Sequence, residues 1–122
     1  MIKNLKILIA EDDTTSEMLI STTMKAFDAK VLKVRTGVEA VETCKNNPDI
    51  DLILMDIKMP EMDGYTATRH IRQFNKNVVI IAQTAYGLSG DKEKAFAAGC
   101  DDYISKPIDI KKLIALIEKH LK

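Results

Sequence analysis

The chain has 122 residues, of which 46% are hydrophobic and 30% are charged. This length suits one domain, and this composition is typical of soluble globular proteins rather than of disordered or membrane-spanning chains. Basic and acidic residues balance at 18 each, which argues against direct binding to nucleic acid or to an anionic membrane surface.

The cysteines and the N-terminus indicate the compartment. Cys44 and Cys100 form no CxxC pair and have no histidine at zinc-ligand spacing, which favours a reducing, cytoplasmic environment. The apolar run near the N-terminus is too short for a signal peptide, and no segment approaches the roughly 20 apolar residues of a membrane span. We therefore predict one cytoplasmic domain over residues 1–122 with no direct membrane contact.

Five apolar runs with strand character occur along the chain, separated by segments of helical length. They are Leu5–Ala10, Val31–Val34, Leu52–Met55, Val78–Ala82 and Tyr103–Ile104. Continuous runs of Val, Ile and Leu without polar alternation are typical of parallel strands that helices cover on both faces. The sequence therefore predicts an α/β fold of five βα units.

Capping patterns predict where three of the helices begin. Thr14 is followed by Glu17, and Thr36 by Glu39, at the spacing of a capping box. The last segment has apolar residues at helical spacing, with Asp109 as its expected cap; these residues are Ile110, Leu113, Ile114, Ile117 and Leu121. We expect this last helix to pack its apolar face on the sheet.

Polar residues follow four of the predicted strands. They are Glu11 and Asp12 after the first strand, Asp56 after the third, Thr84 after the fourth and Lys106 after the fifth. In a parallel sheet the carboxyl ends of the strands lie at one edge, where open α/β folds bind their ligands. The sequence therefore predicts that these side chains converge.

The chemistry of this set points to a metal and to phosphate. Three clustered carboxylates repel one another unless a cation offsets their charge, and all-oxygen ligands suit Mg²⁺, for which Mn²⁺ can substitute. A lysine and a threonine supply hydrogen-bond donors for a phosphoryl group. Asp56 is then the candidate nucleophile that forms an acyl phosphate.

The segments ILIAEDD, LILMDIKMPEMDG, QTA and SKP resemble, in order and spacing, the motifs of the receiver domain of two-component response regulators. The resemblance covers essentially residues 1–122. It implies a flavodoxin-like doubly wound parallel sheet with strand order 2-1-3-4-5. It also implies a signalling domain that promotes its own phosphorylation and dephosphorylation, rather than an enzyme with a separate substrate.

The resemblance assigns site roles to particular residues. Asp56 would accept the phosphoryl group from a histidine of a kinase or of a histidine phosphotransfer protein. Mg²⁺ would be held by Asp12, Asp56, the backbone carbonyl of Lys58 and, through water, Glu11. Lys106 would pair with a phosphoryl oxygen, and its bond to Pro107 would be cis.

The resemblance also implies a switch and its partners. Thr84 and Tyr103 would relay phosphorylation to the face formed by the fourth helix, fifth strand and fifth helix, while Lys58 and Tyr86 would tune the phosphoryl lifetime. That face would act on an effector outside this chain, or form a phosphorylation-dependent dimer. The segment from QTA to SKP is similar to receivers of hybrid sensor kinases, and the parent protein would then be a histidine kinase.

Two other classes of function remain open. An aspartyl-nucleophile phosphatase would need a second acid shortly after Asp56, where Ile57 and Lys58 stand, and a flavin carrier would need hydroxyl-rich or glycine-rich phosphate loops. A pseudo-receiver that binds partners without phosphorylation would typically lack one of the acids or the lysine. This chain has them all, so the phosphoacceptor interpretation is preferred.

Overall fold

The computed structural model describes residues 4–85 and 90–121. Within them, five strands alternate with five helices. The strands are β1 (Lys6–Ala10), β2 (Lys30–Val34), β3 (Leu52–Asp56), β4 (Val79–Thr84) and β5 (Asp102–Ser105). The helices are α1 (Thr14–Met24), α2 (Gly37–Asn46), α3 (Gly64–Arg72), α4 (Asp91–Ala98) and α5 (Ile110–Leu121), with a 3₁₀ turn at Lys25–Phe27 after α1. The predicted succession of five βα units is confirmed.

All strand pairs are parallel, and the sheet order is β2-β1-β3-β4-β5. This order confirms the flavodoxin-like fold. The central strand β3 is buried along its whole length, including Asp56. Three strands, β3, β4 and β5, extend beyond the carboxyl ends of their apolar runs, because the ladder continues through the pairs Asp56–Gln83 and Thr84–Ser105.

The core has two layers, one on each face of the sheet. Ile7 and Ile9 of β1 belong to the layer that also contains apolar residues of α1 and α5, whereas Leu8 and Ala10 belong to the layer with α2, α3 and α4. Burial on both faces explains the long apolar runs of β1, β3 and β4. Within the described ranges, no helix has both the length and the apolar character needed to cross a bilayer.

The first helix begins with a different cap from the predicted one. Asp13, not Thr14, is the N-cap: its Oδ2 accepts hydrogen bonds from Ser16 N at 3.0 Å and from Ser16 Oγ at 2.7 Å. Glu17 Oε1 lies 3.2 Å from Lys33 Nζ. The predicted Thr14–Glu17 capping box is therefore wrong, because an acid one residue earlier already satisfies the helix terminus.

The other two predicted caps are confirmed. Thr36 Oγ1 accepts from Glu39 N at 3.1 Å, while Glu39 Oε1 accepts from Arg35 N at 3.2 Å, one residue before the cap. At α5, Asp109 Oδ1 accepts from Lys111 N at 3.0 Å. These bonds satisfy backbone donors that have no partner inside a helix.

The start of α3 lies directly against the end of β3. A Cβ on Gly64 would stand 2.3 Å from the carbonyl oxygen of Asp56, so a residue with a side chain does not fit there without a shift of the backbone. Gly64 N donates to the Ile57 carbonyl at 2.9 Å, and Asp63 caps the helix by accepting from Thr66 N at 2.8 Å. Helix α3 thereby braces the backbone that carries Asp56.

Candidate functional site

Three acids meet at the carboxyl edge of the sheet. Glu11 follows β1 and is fully buried, Asp56 ends β3 and is 4% exposed, and Asp12 lies beside them. One carboxylate oxygen from each lies within 4.8 Å of the others. The structure thus brings together the three acids that the strand-end pattern selects.

Lys106 forms ion pairs with two of these acids. Its Nζ lies 2.6 Å from Glu11 Oε1 and 3.4 Å from Asp56 Oδ1. Burial lowers the lysine pKa, but the hydrogen bonds and charges of Glu11 and Asp56 outweigh burial, so the net shift is upward. The ammonium is therefore held in its charged form above the acids.

The positive charge of Lys106 does not offset the burial and repulsion that act on Asp56. The pKa of Asp56 rises from 3.8 to about 8, first because of burial, then because of a hydrogen bond with Glu11 and repulsion from it, against the opposing effect of Lys106. Among the described residues, Glu11 Oε2 is buried without a hydrogen-bond partner. The three acids supply only oxygen ligands, their negative charge calls for a further cation, and Glu11 Oε2 is an acceptor without a donor. These properties fit a hard divalent cation such as Mg²⁺.

Thr84 ends β4 at the same edge. It is 2% exposed, and its Oγ1 has no hydrogen-bond partner within residues 4–85 and 90–121. Its backbone carbonyl accepts from Lys106 N at 2.7 Å, which ties it to the lysine segment. Tyr103 on β5 is half-buried, with its ring perpendicular to that of Phe96 on α4, 6.4 Å between centroids.

Comparison with known proteins identifies the family. The sequence matches the response regulator receiver domain over residues 7–118. The chain belongs to this family.

A hybrid kinase and a response regulator are among the relatives of this receiver domain. The chain is 40% identical over 124 residues to hybrid signal transduction histidine kinase I of Dictyostelium discoideum, a match that covers 95% of the chain but only 7% of that kinase. It is 32% identical over 117 residues to the polar-differentiation response regulator DivK of Brucella ovis, covering 94% of each protein. The chain thus spans most of a single-domain regulator and a small part of a hybrid kinase.

Two solved structures are close in fold. The receiver domain of sensor histidine kinase PA1611 from Pseudomonas aeruginosa, crystallised with magnesium in its active-site cleft, is 35% identical with a TM-score of 0.86, over 96% of this chain and 97% of that one. The receiver of Ssk1 from Saccharomyces cerevisiae, in complex with the histidine phosphotransfer protein Ypd1, is 28% identical with a TM-score of 0.91. The match covers 98% of this chain and 90% of that one.

Two of the remaining predicted residues of this receiver domain, Lys58 and Pro107, lie in the loops that follow β3 and β5. Lys58 is exposed two residues after β3 and lines, with Asp12, a cleft of about 560 Å³. The Lys106–Pro107 peptide bond is cis. Tyr86 lies outside the described residues. The roles assigned to these residues stay predictions.

Sequence reasoning missed two residues at this site. The Arg35 guanidinium donates to the backbone carbonyl of Asp12, which fastens the loop carrying that acid to the end of β2. Gln83, inside the QTA segment, is 1% exposed beside Asp56 in the sheet. A glutamine at the end of an otherwise apolar strand could have pointed to a role for Gln83. The sequence pattern alone does not show which face of the sheet its side chain occupies.

Proposed function

We propose that this receiver domain accepts a phosphoryl group on Asp56 from a phosphohistidine, with Mg²⁺ as cofactor. The observation that supports it best is the buried acid cluster with Lys106 Nζ on Glu11 and Asp56. A carboxylate oxygen of Asp56 attacks phosphorus, and the P–N bond to the imidazole breaks. The electron pair of that bond stays on the imidazole nitrogen, which takes up a proton, and the product is an acyl phosphate.

The residues of the chain supply positioning and charge. Because β3 is buried and α3 braces its end, Asp56 presents its carboxylate with little freedom. Lys106 moves from Glu11 toward a phosphoryl oxygen, and the Thr84 hydroxyl donates to another. Phosphoryl transfer depends mainly on such positioning and electrostatics, so a general base is not needed.

The metal would be held by Asp12, Asp56, the carbonyl of Lys58 and, through water, Glu11. Mn²⁺ would substitute for Mg²⁺, since both prefer oxygen ligands. When bound, the ion neutralises charge on the acids and on the phosphoryl oxygens. The unpartnered, buried Glu11 Oε2 supports this donor set.

The output would be a change of the surface formed by α4, β5 and α5. Thr84 moving toward the phosphoryl group leaves space that the half-buried Tyr103 ring fills, away from Phe96. A groove of about 610 Å³ on this surface is lined by residues of β5 and α5. The altered surface would engage an effector outside this chain or a second phosphorylated copy.

The cycle ends when water attacks the acyl phosphate, which regenerates Asp56 and releases inorganic phosphate. Lys58 and Tyr86 would set how fast this autodephosphorylation runs. The donor would be a cytoplasmic histidine kinase or histidine phosphotransfer protein. The Ypd1–Ssk1 complex supports the second class of donor, and the Dictyostelium kinase supports a hybrid kinase as parent.

Wild-type protein incubated with acetyl phosphate is expected to gain one phosphoryl group in Mg²⁺ and none in a chelator. The reason is that the clustered acids repel the incoming anion until a cation neutralises them. Intact mass spectrometry of the two samples measures the gain. Absence of any gain in Mg²⁺ would end the proposal.

Asp12→Ala is expected to weaken Mg²⁺ binding by at least about tenfold, because it removes a direct ligand. Calorimetric titration of the variant and of wild type measures this. Asp13→Ala is the matched control: it removes the neighbouring acid and the cap of α1, with a loss of stability, but leaves the metal ligands in place. Equal Mg²⁺ affinity in Asp12→Ala and wild type would remove Asp12 from the site.

A further inference from the structure

Gln83 is a buried amide that the roles described so far leave unused. It is 1% exposed, and neither its Nε2 nor its Oε1 has a hydrogen-bond partner among residues 4–85 and 90–121. A buried amide without partners loses its hydrogen bonds to water and gains nothing in return. An apolar residue would serve a purely structural role at this position better.

The register of the sheet places Gln83 next to the nucleophile. Gln83 on β4 pairs with Asp56 on β3 and with Ile104 on β5. Paired residues of neighbouring parallel strands lie on the same face, about 5 Å apart. Lys106 lies just past the end of β5, and its Nζ reaches Asp56, the residue that pairs with Gln83.

The order of the strands places Gln83 between the Lys106 backbone and the acids that the lysine contacts. Lys106 follows β5, and Glu11 follows β1, with β4 and β3 between them in the sheet. An ammonium group has three donors, and the contacts of Lys106 Nζ with Glu11 and Asp56 account for two. The ammonium therefore has a third donor beyond these two contacts.

We propose that Gln83 is a positioning residue that acts through Lys106. Once a phosphoryl group on Asp56 draws the ammonium away from Glu11, the Gln83 carbonyl oxygen accepts its third hydrogen bond and fixes it above the phosphoryl oxygens. This inference rests on the proposed function. A neutral amide suits the task, because a fourth carboxylate would add repulsion to the acid cluster, and an apolar side chain would leave the lysine donor unpaired.

The test uses beryllium fluoride with saturating Mg²⁺ as a stable mimic of the phosphoryl group, with binding measured by calorimetry on the full chain. Gln83→Leu is expected to bind the mimic about tenfold more weakly, the loss of one hydrogen bond to a charged group. Its Mg²⁺ affinity stays at the wild-type value, because no metal ligand changes. In a Lys106→Met background, Gln83→Leu has no further effect.

The control is Ile81→Val. Ile81 lies two residues before Gln83 on β4, on the same face of the sheet, and its side chain belongs to the core rather than to the site. It is expected to lower the thermal stability and to leave binding of the mimic unchanged. If Gln83→Leu does not fold, Gln83→Met, which is closer in shape, carries the same measurement.

Three results would overturn the role of Gln83: wild-type affinity for the mimic in Gln83→Leu, an equal loss in the Lys106→Met background, or a parallel loss of Mg²⁺ affinity. Failure of the proposed function can be distinguished from failure of the role of Gln83. In that case wild type itself would gain no phosphoryl group from acetyl phosphate.

Discussion

Asp56→Asn is expected to abolish phosphoryl transfer to the domain. Asparagine keeps the size and shape of the side chain, but its neutral amide is no nucleophile toward phosphorus, so no acyl phosphate forms. Incubation with acetyl phosphate and Mg²⁺, followed by intact mass spectrometry, should show one added phosphoryl group on wild type and none on the variant. A variant that gains the group as wild type does would place the acceptor elsewhere.

Asp51→Asn provides the matched control. Asp51 immediately precedes β3, five residues before Asp56, and its Oδ2 accepts from Lys6 N at 2.9 Å at the opposite edge of the sheet. The same chemical change at this end of the strand is expected to leave phosphorylation intact. Loss of phosphorylation in both variants would indicate damage to β3 rather than removal of a nucleophile.

Much of the fold could be predicted because the inner strands β1, β3 and β4 contain long apolar runs. A strand covered on both faces needs apolar residues at every position, and that run is visible in the sequence of β1 and β3. The end of β4 was harder, since Gln83 and Thr84 look like loop residues. They are strand residues because backbone pairing with β3 and β5 continues past the apolar run.

Local chemistry alone did not resolve the start of α1. Asp13 and Thr14 are both good caps, and they are adjacent. The choice depends on which backbone donors point at which side chain, which is fixed only when the helix has its final register on β1. The carboxylate of Asp13 then faces Ser16, and Glu17 is left to pair with Lys33.

The convergence of the site follows from topology, whereas its internal contacts do not. Parallel strands bring Glu11, Asp56 and Lys106 to one edge whatever their exact register. That Lys106 rests on Glu11 at 2.6 Å, with Asp56 further away at 3.4 Å, depends on the lateral order and stagger of four strands. The position of Gln83 beside Asp56 depends on the same register.

The elevated pKa of Asp56 gives a second large effect, on stability. In the folded chain without divalent cations this pKa is about 8, against an ordinary value of 3.8. The folded state therefore binds a proton more tightly than the unfolded state. Stability falls as pH rises between these two values, by at most about 1.4 kcal/mol per pH unit, and the full cost of the ionised carboxylate is present above the higher value.

Asp56→Asn should remove this cost. In a chelator, the variant is expected to be more stable than wild type, with an advantage that grows by on the order of 2–4 kcal/mol between about pH 5.5 and pH 8. Urea unfolding of both proteins at the two pH values measures it. Asp49→Asn is the control, because the pKa of Asp49 is shifted in the opposite direction. A hydrogen bond from Lys6 holds the pKa of this exposed carboxylate below its usual range, so the effect of Asp49→Asn on stability is expected to be the same at pH 5.5 and pH 8.

Magnesium should remove the pH dependence that Asp56 gives to wild-type stability, because the cation favours the ionised form of the clustered carboxylates. Saturating Mg²⁺ is therefore expected to stabilise wild type more at pH 8 than at pH 5.5, and to stabilise Asp56→Asn less than wild type at the higher pH. A wild-type stability that does not fall, relative to that of Asp56→Asn, as the pH rises in the chelator would contradict the elevated pKa. It would mean that Lys106 alone suffices to hold Asp56 ionised, and the electrostatic reason for a metal at this edge would be lost.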